Sequence, residues 1–331
     1  MADDPWGNNA PPPPPAPAHP QGREWDLLEK VVMASVEEQR RARRWGIFFK
    51  LLTFAYLFGL FWLMFGESNV EKAAIAGEHT AMVEISGEIA DDSLANADAI
   101  ISGLQAAFEA PKSKAVLLRI NSPGGSPVQS AYVYDEIRRL RGLHKDKKVY
   151  AVITDMGASG AYYIASAADQ IYVNPGSLVG SIGVIMQGFG VEGLMQKLGV
   201  ENRTLTAGEH KAILSPFSPM KPDEVAHVNR LLEEVHQQFI NAVKQGRGQR
   251  LKADPQIFSG LFWTGQQAVE LGLADGFGSV DSVARSVVQA EDVVDYSEQP
   301  DALSGLIRKL GTSMGDAVAA RLAVPASPHM R

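Results

Sequence analysis

The sequence predicts an α/β domain with a mostly parallel sheet, preceded by one transmembrane helix. Three observations carry that expectation: an apolar run at 45–66, short apolar stretches recurring from residue 80 onward, and helical spacing between those stretches. Strands that alternate with helices imply βαβ crossovers, and crossovers imply parallel pairing.

Taken in chain order, the first segment is the least foldable. Eight of the nineteen prolines fall in the first twenty residues, five of them consecutive at Pro11–Pro15, where fixed φ angles and missing donors oppose a packed core. Residues 1–23 are therefore expected to be a disordered arm. Residues 24–44 place Leu27, Leu28, Val31, Val32 and Val36 at helical spacing, which predicts an amphipathic juxtamembrane helix.

The run 45–66, WGIFFKLLTFAYLFGLFWLMFG, holds one charge, Lys50, near an end from which it can snorkel, and Trp45 and Trp62 stand toward its two ends. At 1.5 Å per residue it spans about 33 Å as a helix, the thickness of a bilayer's hydrocarbon core. RRARR, residues 40–44, precedes it, whereas residues 67–76 hold two acids and one lysine. By the positive-inside rule the N-terminus is cytoplasmic and everything beyond a linker at 67–77 is exported. Ala74-Ile75-Ala76 resembles a cleavage site, but forty-four residues ahead of the apolar run are too many for a signal peptide's n-region. A buried core helix is opposed by hydrophobicity all round the segment.

Beyond the linker, 80–85, 115–120 and 149–154 read as buried strands, with helices near 93–109 and 127–141. A long amphipathic helix is expected at 222–248 and another at 303–322. In parallel sheets ligands gather at the carboxyl ends of strands. Two of those ends carry suggestive turns, NSPGGS (121–126) and DMGASG (155–160).

The formal charge of -7 and the absence of a basic patch in the globular part argue against nucleic acid as a partner, and the absence of cysteine excludes disulfides, thiolate nucleophiles and Cys-based metal sites. A serine nucleophile remains possible in principle. It needs a base within hydrogen-bond reach and donors for the oxyanion. Ser159 lies among Gly157, Ala158 and Gly160, a setting for a sharp strand-to-helix turn, although G-x-S-G is not the nucleophile-elbow motif. Gly124 and Gly125 can turn backbone N–H groups outward as an anion-binding nest; a plain turn uses the same residues. For the base, His210 sits in a loop, 207–220, with Lys211 beside it. A triad of Ser159, His210 and Asp155 and a pair of Ser159 with a desolvated Lys211 are both open.

Four separated stretches, RINSPGGSPVQSAYVYDEIRRLR (119–141), GASGAYYIASAADQIYVNPGSLVGSIGVI (157–185), HKAILSPF (210–217) and TGQQAVELGLADGFGS (264–279), occur in order. Over residues 78–290 they are similar to the membrane-anchored serine-lysine signal peptide peptidases of the SppA type, in their short single-repeat form. The resemblance covers neither the proline-rich arm nor the tail 291–331. It implies a ClpP/crotonase-like fold, Ser159 as nucleophile, Lys211 as general base and Ser181 as the residue that orients the lysine. It also implies an oxyanion hole at the SPGG turn and the nucleophile region, with Gly124, Gly125 and Gly160 as candidates. Further implications are an inner-membrane anchor, a homo-oligomeric ring in which serine and lysine come from neighbouring protomers, cleaved signal peptides as substrates, and no metal or other cofactor. Ala161 stands where the family often has a second glycine, and its methyl is expected to narrow the adjacent pocket.

Two other readings are open. Gly188–Gly193, GFGVEG, is a literal G-x-G-x-x-G after an expected strand at 182–187, with Glu209 near the distance of a ribose-binding acid. A membrane-anchored scaffold of the same fold without catalysis is the other.

Overall fold

A computed structural model describes residues 21–65 and 77–298. Residues 1–20 of the proline-rich arm, most of the linker, the side chain of Trp62 and the helix expected at 303–322 lie outside the described residues, whereas Gln21–Arg23, expected to be disordered, are helical. The chain forms two units that divide between residues 69 and 70.

The first unit contains one continuous helix, α1 (Gln21–Phe65), so the amphipathic and apolar segments join without a break. Leu27–Phe61 is long and apolar enough to cross a membrane, and its side chains are exposed.

The second unit is built on an eight-stranded sheet. Its central strands are β1 (His79–Ser86), β2 (Ser113–Ser122) and β3 (Lys148–Ala158), linked by α2 (Ala97–Glu109) and α3 (Pro127–Leu143). β2 lies between β1 and β3, and both pairings are parallel. β3 then forks. Its Tyr150–Ile153 half pairs with β4 (Gln170–Val173), and Met156–Ala158 pairs with β5 (Leu178–Gly180), again in parallel. Among the described residues only the pairing of β5 with β6 (Phe262–Thr264) is antiparallel. β7 (Gly276–Phe277) pairs in parallel with β4, and β8 (Val293–Asp295) adds to the free side of β1.

The alternation along the strands sets the two faces. Leu118, Ile120, Ala151 and Ile153 point into the main core, against Leu104 and Phe108 of α2 and Val133 and Ile137 of α3; Leu117 and Val152 point the other way, onto Val283. α2 starts at Ala97 rather than 93, because the Asn96 side chain accepts from the Ala99 N–H and ends the preceding turn.

Two expectations fail here. No strand forms at 182–187: SIGVIM leaves β5 without a pairing partner, and Ile185 and Met186 are exposed. The fingerprint Gly188–Gly193 therefore does not follow a strand. The helix after it, α5 (Glu192–Leu198), buries no residue, and the Glu192 carboxylate lies 2.7 Å from where a Cβ on Gly190 would stand, placing negative charge where a phosphate would need to sit. Ala161, in turn, is fully buried within the main core, so its methyl packs inward and narrows no substrate pocket.

Candidate active site

Ser159 occupies the single residue between β3 and the short helix α4 (Gly160–Ala165). Its φ of 52° and ψ of -127° fall where L-residues pay a steric cost, a conformation held only when the surroundings over-determine it. They do. The Ser159 N–H donates to the Gly180 carbonyl at 2.8 Å, extending the β3–β5 ladder by one step, and its carbonyl accepts from Tyr163 at 3.0 Å, starting α4. The side chain is thus turned out at the carboxyl edge of the sheet.

The NSPGGS turn closes over this elbow. Gly124 has φ +93°, and a Cβ there would stand 2.6 Å from the Gly160 nitrogen and 2.7 Å from both the Ala158 oxygen and the Ser159 Cβ. Only a glycine permits that approach. On its other side the turn is tied to the chain before α2, with Ile89 N–H on the Gly124 carbonyl at 2.9 Å and Ser126 N–H on the Ile89 carbonyl at 2.7 Å.

The three glycines expected to supply oxyanion donors do not share one role. The Gly124 N–H donates to Ser122 Oγ at 3.1 Å, so it is engaged inside the turn, and its contribution is the close approach. The N–H groups of Gly125 and Gly160 have no partner among the described residues. They lie near each other, since a Cβ on Gly160 would be 3.4 Å from the Gly125 nitrogen. Two unpaired amides beside a turned-out hydroxyl form an arrangement that can hold the negative oxygen of a tetrahedral adduct.

Ser181 directly follows β5, whose Gly180 pairs with Ala158, so Ser159 and Ser181 stand side by side at adjacent strand ends. Ser181 also has a positive φ, 51°, and its N–H donates to the Leu261 carbonyl at 2.8 Å. Two residues on this edge were missed from the sequence. His236, read as part of a polar helix, reaches from α6 (Pro222–Arg247) to place Nε2 3.0 Å from the Ile182 oxygen, one residue past Ser181. Trp263 of β6 packs its indole on Gly180, with Cδ1 3.0 Å from the position of a Cβ there, and its buried Nε1 has no partner among the described residues. The antiparallel β5–β6 pairing that brings Trp263 in is three residues long and has no periodic signal.

Lys211 does not meet Ser159 within the single chain. It sits exposed in a turn, with its N–H on the Gly208 carbonyl at 3.2 Å and its ammonium unpaired among the described residues. That turn belongs to a segment, 183–223, in which no residue is buried; Phe189 is 88% exposed and Leu205 97%. The triad with His210 finds no support. His210 Nδ1 lies 3.3 Å from the buried carboxylate of Glu224, which Lys221 also approaches at 3.2 Å, while Asp155 accepts from Asn121 Nδ2 at 3.1 Å.

With this geometry in hand, the chain can be compared with known proteins. The sequence profile of Peptidase family S49 matches residues 141–294, a span that includes Ser159, Ser181 and Lys211. A candidate protease of Synechocystis sp., slr0021, is 36% identical over 199 residues, covering 60% of this chain and 69% of that protein. The chain belongs to peptidase family S49. Like other S49 members of the SppA type, it has a ClpP-like α/β domain. A candidate signal peptide peptidase SppA of Enterococcus faecium is 30% identical over 237 residues, covering 69% of this chain and 68% of that protein. A Brucella melitensis protein named Na(+)/H(+) antiporter NhaA is 47% identical over 182 residues; the match covers 55% of this chain but a quarter (25%) of that protein's length.

Proposed function

We propose that this S49 peptidase is a membrane-anchored serine endopeptidase that cuts signal peptides or other peptides released from the membrane, using Ser159 and Lys211. The observation that carries the reading is the strained Ser159 elbow facing the free amides of Gly125 and Gly160.

Neutral Lys211 removes the Ser159 proton as Oγ attacks the peptide carbonyl, and the carbonyl oxygen becomes the oxyanion held by the Gly125 and Gly160 N–H groups. The lysine ammonium then protonates the departing amine, leaving an ester on Ser159. Water, deprotonated by the same lysine, attacks the ester and releases the acid. Ser181, beside Ser159, keeps the lysine amine aimed at Oγ.

A lysine serves as base only when desolvation lowers its pKa toward neutrality. The exposed, apolar character of 183–223 supports delivery of Lys211 by a neighbouring copy, because burying Phe189, Leu205 and Phe217 between protomers would desolvate the segment that carries it. A homo-oligomeric ring satisfies this for every copy at once. α1 anchors the assembly in the inner membrane by its apolar run, with the N-terminus cytoplasmic and the peptidase domain on the exported side.

The test is a pH–rate profile with and without Lys211. A rise in kcat/KM through a basic ionisation that disappears in Lys211→Ala, with a fall of about a thousandfold, supports the lysine base. Full activity in either Ser159→Ala or Lys211→Ala would leave a catalytically silent scaffold of the same fold, or another nucleophile, as the better account.

A further inference from the structure

We propose that the amino edge of the sheet, opposite Ser159, is a docking face for anionic lipid headgroups, with Leu143 entering the interface. Against the expectation that the globular part lacks a basic patch, residues 138–148 of this chain of net charge -7 contain Arg138, Arg139, Arg141, Lys145, Lys147 and Lys148 beside a single acid, Asp146. This stretch runs from the end of α3 into the start of β3 and lines a recess shared with Asp169 and Gly246.

Part of this charge is committed to the fold. Arg141 pairs with Asp169, Arg139 with Glu136 at 2.7 Å, and Lys147 Nζ donates to the carbonyls of Phe108 and Ala110, each at 2.6 Å. Three cations lack a close carboxylate of their own, although Arg138 also donates to the Tyr134 hydroxyl at 3.3 Å. Lys145 has no partner among the described residues, Lys148 is 3.8 Å from an Asp169 oxygen already held by Arg141, and Arg138 lies over the Tyr134 ring without a carboxylate. Leu143, at the end of α3 beside this recess and outside its lining, is 65% exposed. A basic recess with an exposed leucine at the end of the same helix suits a lipid surface better than a soluble phosphate, which has no use for the apolar side chain.

Chain connectivity points the same way. β1 enters the domain at this edge, where the His79 N–H donates to the Lys112 carbonyl at 3.1 Å and Lys114 pairs with Glu78 at 2.9 Å. The inference rests on α1 being the anchor. Its consequence is that Ser159 stands at the far end of β3, about 33 Å from the lipid, so that substrates reach it only after leaving the bilayer.

The test uses the full chain, whose lack of cysteine lets Leu143→Cys carry a single environment-sensitive fluorophore. The labelled protein is reconstituted into phosphatidylcholine vesicles with or without phosphatidylglycerol. Flotation with neutral vesicles reports on the α1 anchor separately from the label. The proposal predicts a blue shift and quenching by bilayer nitroxides only with phosphatidylglycerol, reversed by salt. Combining Arg138→Gln, Lys145→Gln and Lys148→Gln should lower the docking equilibrium about a hundredfold, taking each cation as worth about fivefold. Unchanged cleavage of a soluble peptide by that variant would show that it is folded. Equal spectra in the two lipids, an unaffected triple variant, or abolition by inorganic phosphate at constant ionic strength would overturn the proposal, the last in favour of a soluble-anion site.

Discussion

Gly124→Ala separates the backbone strain of the SPGG turn from its role at the nucleophile. At φ +93° any L-residue is strained by about 1–3 kcal/mol. The methyl would also stand 2.6 Å from the Gly160 nitrogen and 2.7 Å from both the Ala158 oxygen and the Ser159 Cβ, all parts of the elbow that packing and backbone bonds hold in place. The turn must therefore retreat, and the Gly125 amide, the next residue, retreats with it. Loss of one oxyanion donor costs about 3 kcal/mol, or a hundredfold or more in kcat. Gly87→Ala supplies the control, because Gly87 has φ +84° and nothing within 4 Å of a Cβ, so it meets the strain without the collision. Urea denaturation should show both variants folded, with the larger stability loss in Gly124→Ala because it adds the collision, while kcat/KM on a chromogenic peptide should collapse in Gly124→Ala alone. Near-normal turnover by Gly124→Ala, or equal losses in both, would refute this role for the turn.

Mixing Ser159→Ala and Lys211→Ala subunits, each inactive alone, should restore about a quarter of the sites if every site draws its serine and lysine from different copies of a randomly mixed ring; activity assays on co-refolded protein read this directly. Ala161→Gly should destabilise the domain by about 1 kcal/mol in thermal unfolding and leave the substrate profile unchanged, since the methyl lies in the core. Burial alone would raise the Asp275 pKa, but hydrogen bonds and charge from the buried Arg247 outweigh it and hold the carboxyl below its ordinary value. A depressed folded pKa contributes stability above the unfolded pKa of about 3.9 and loses it as pH falls through the folded value. Acid titration of the melting temperature should show that loss, and Asp275→Asn should remove it while costing about 3 kcal/mol near neutral pH.

Much of the sheet was legible because the strands follow apolar runs and the helices follow their own period. β3 nevertheless runs four residues past the expected Thr154, because DMGA is held by Leu178–Gly180, a partner too short to show a pattern. The apolar SIGVIM run had the composition of a strand but no neighbour to pair with. Ser159 and the glycines around it could be read, since a positive-φ serine needs small residues on both sides. The division of labour among the three glycines could not, because it turns on the Ser122 hydroxyl accepting one amide and leaving two. The residues left Lys211 open beside His210 and the family resemblance chose between them, because the role proposed for the lysine depends on surroundings the single chain does not provide. The basic edge combines Lys145 with Asp169 and Gly246, residues far apart in sequence that only the fold brings to one recess.

The central claim is that Ser159 is made nucleophilic by Lys211. Mass spectrometry of the full-length oligomer treated with a serine-reactive fluorophosphonate addresses it most directly. The account predicts one adduct, on the peptide containing Ser159, lost in Lys211→Ala while the oligomer persists. An adduct on another serine, or labelling of Ser159 that is indifferent to Lys211, would contradict it.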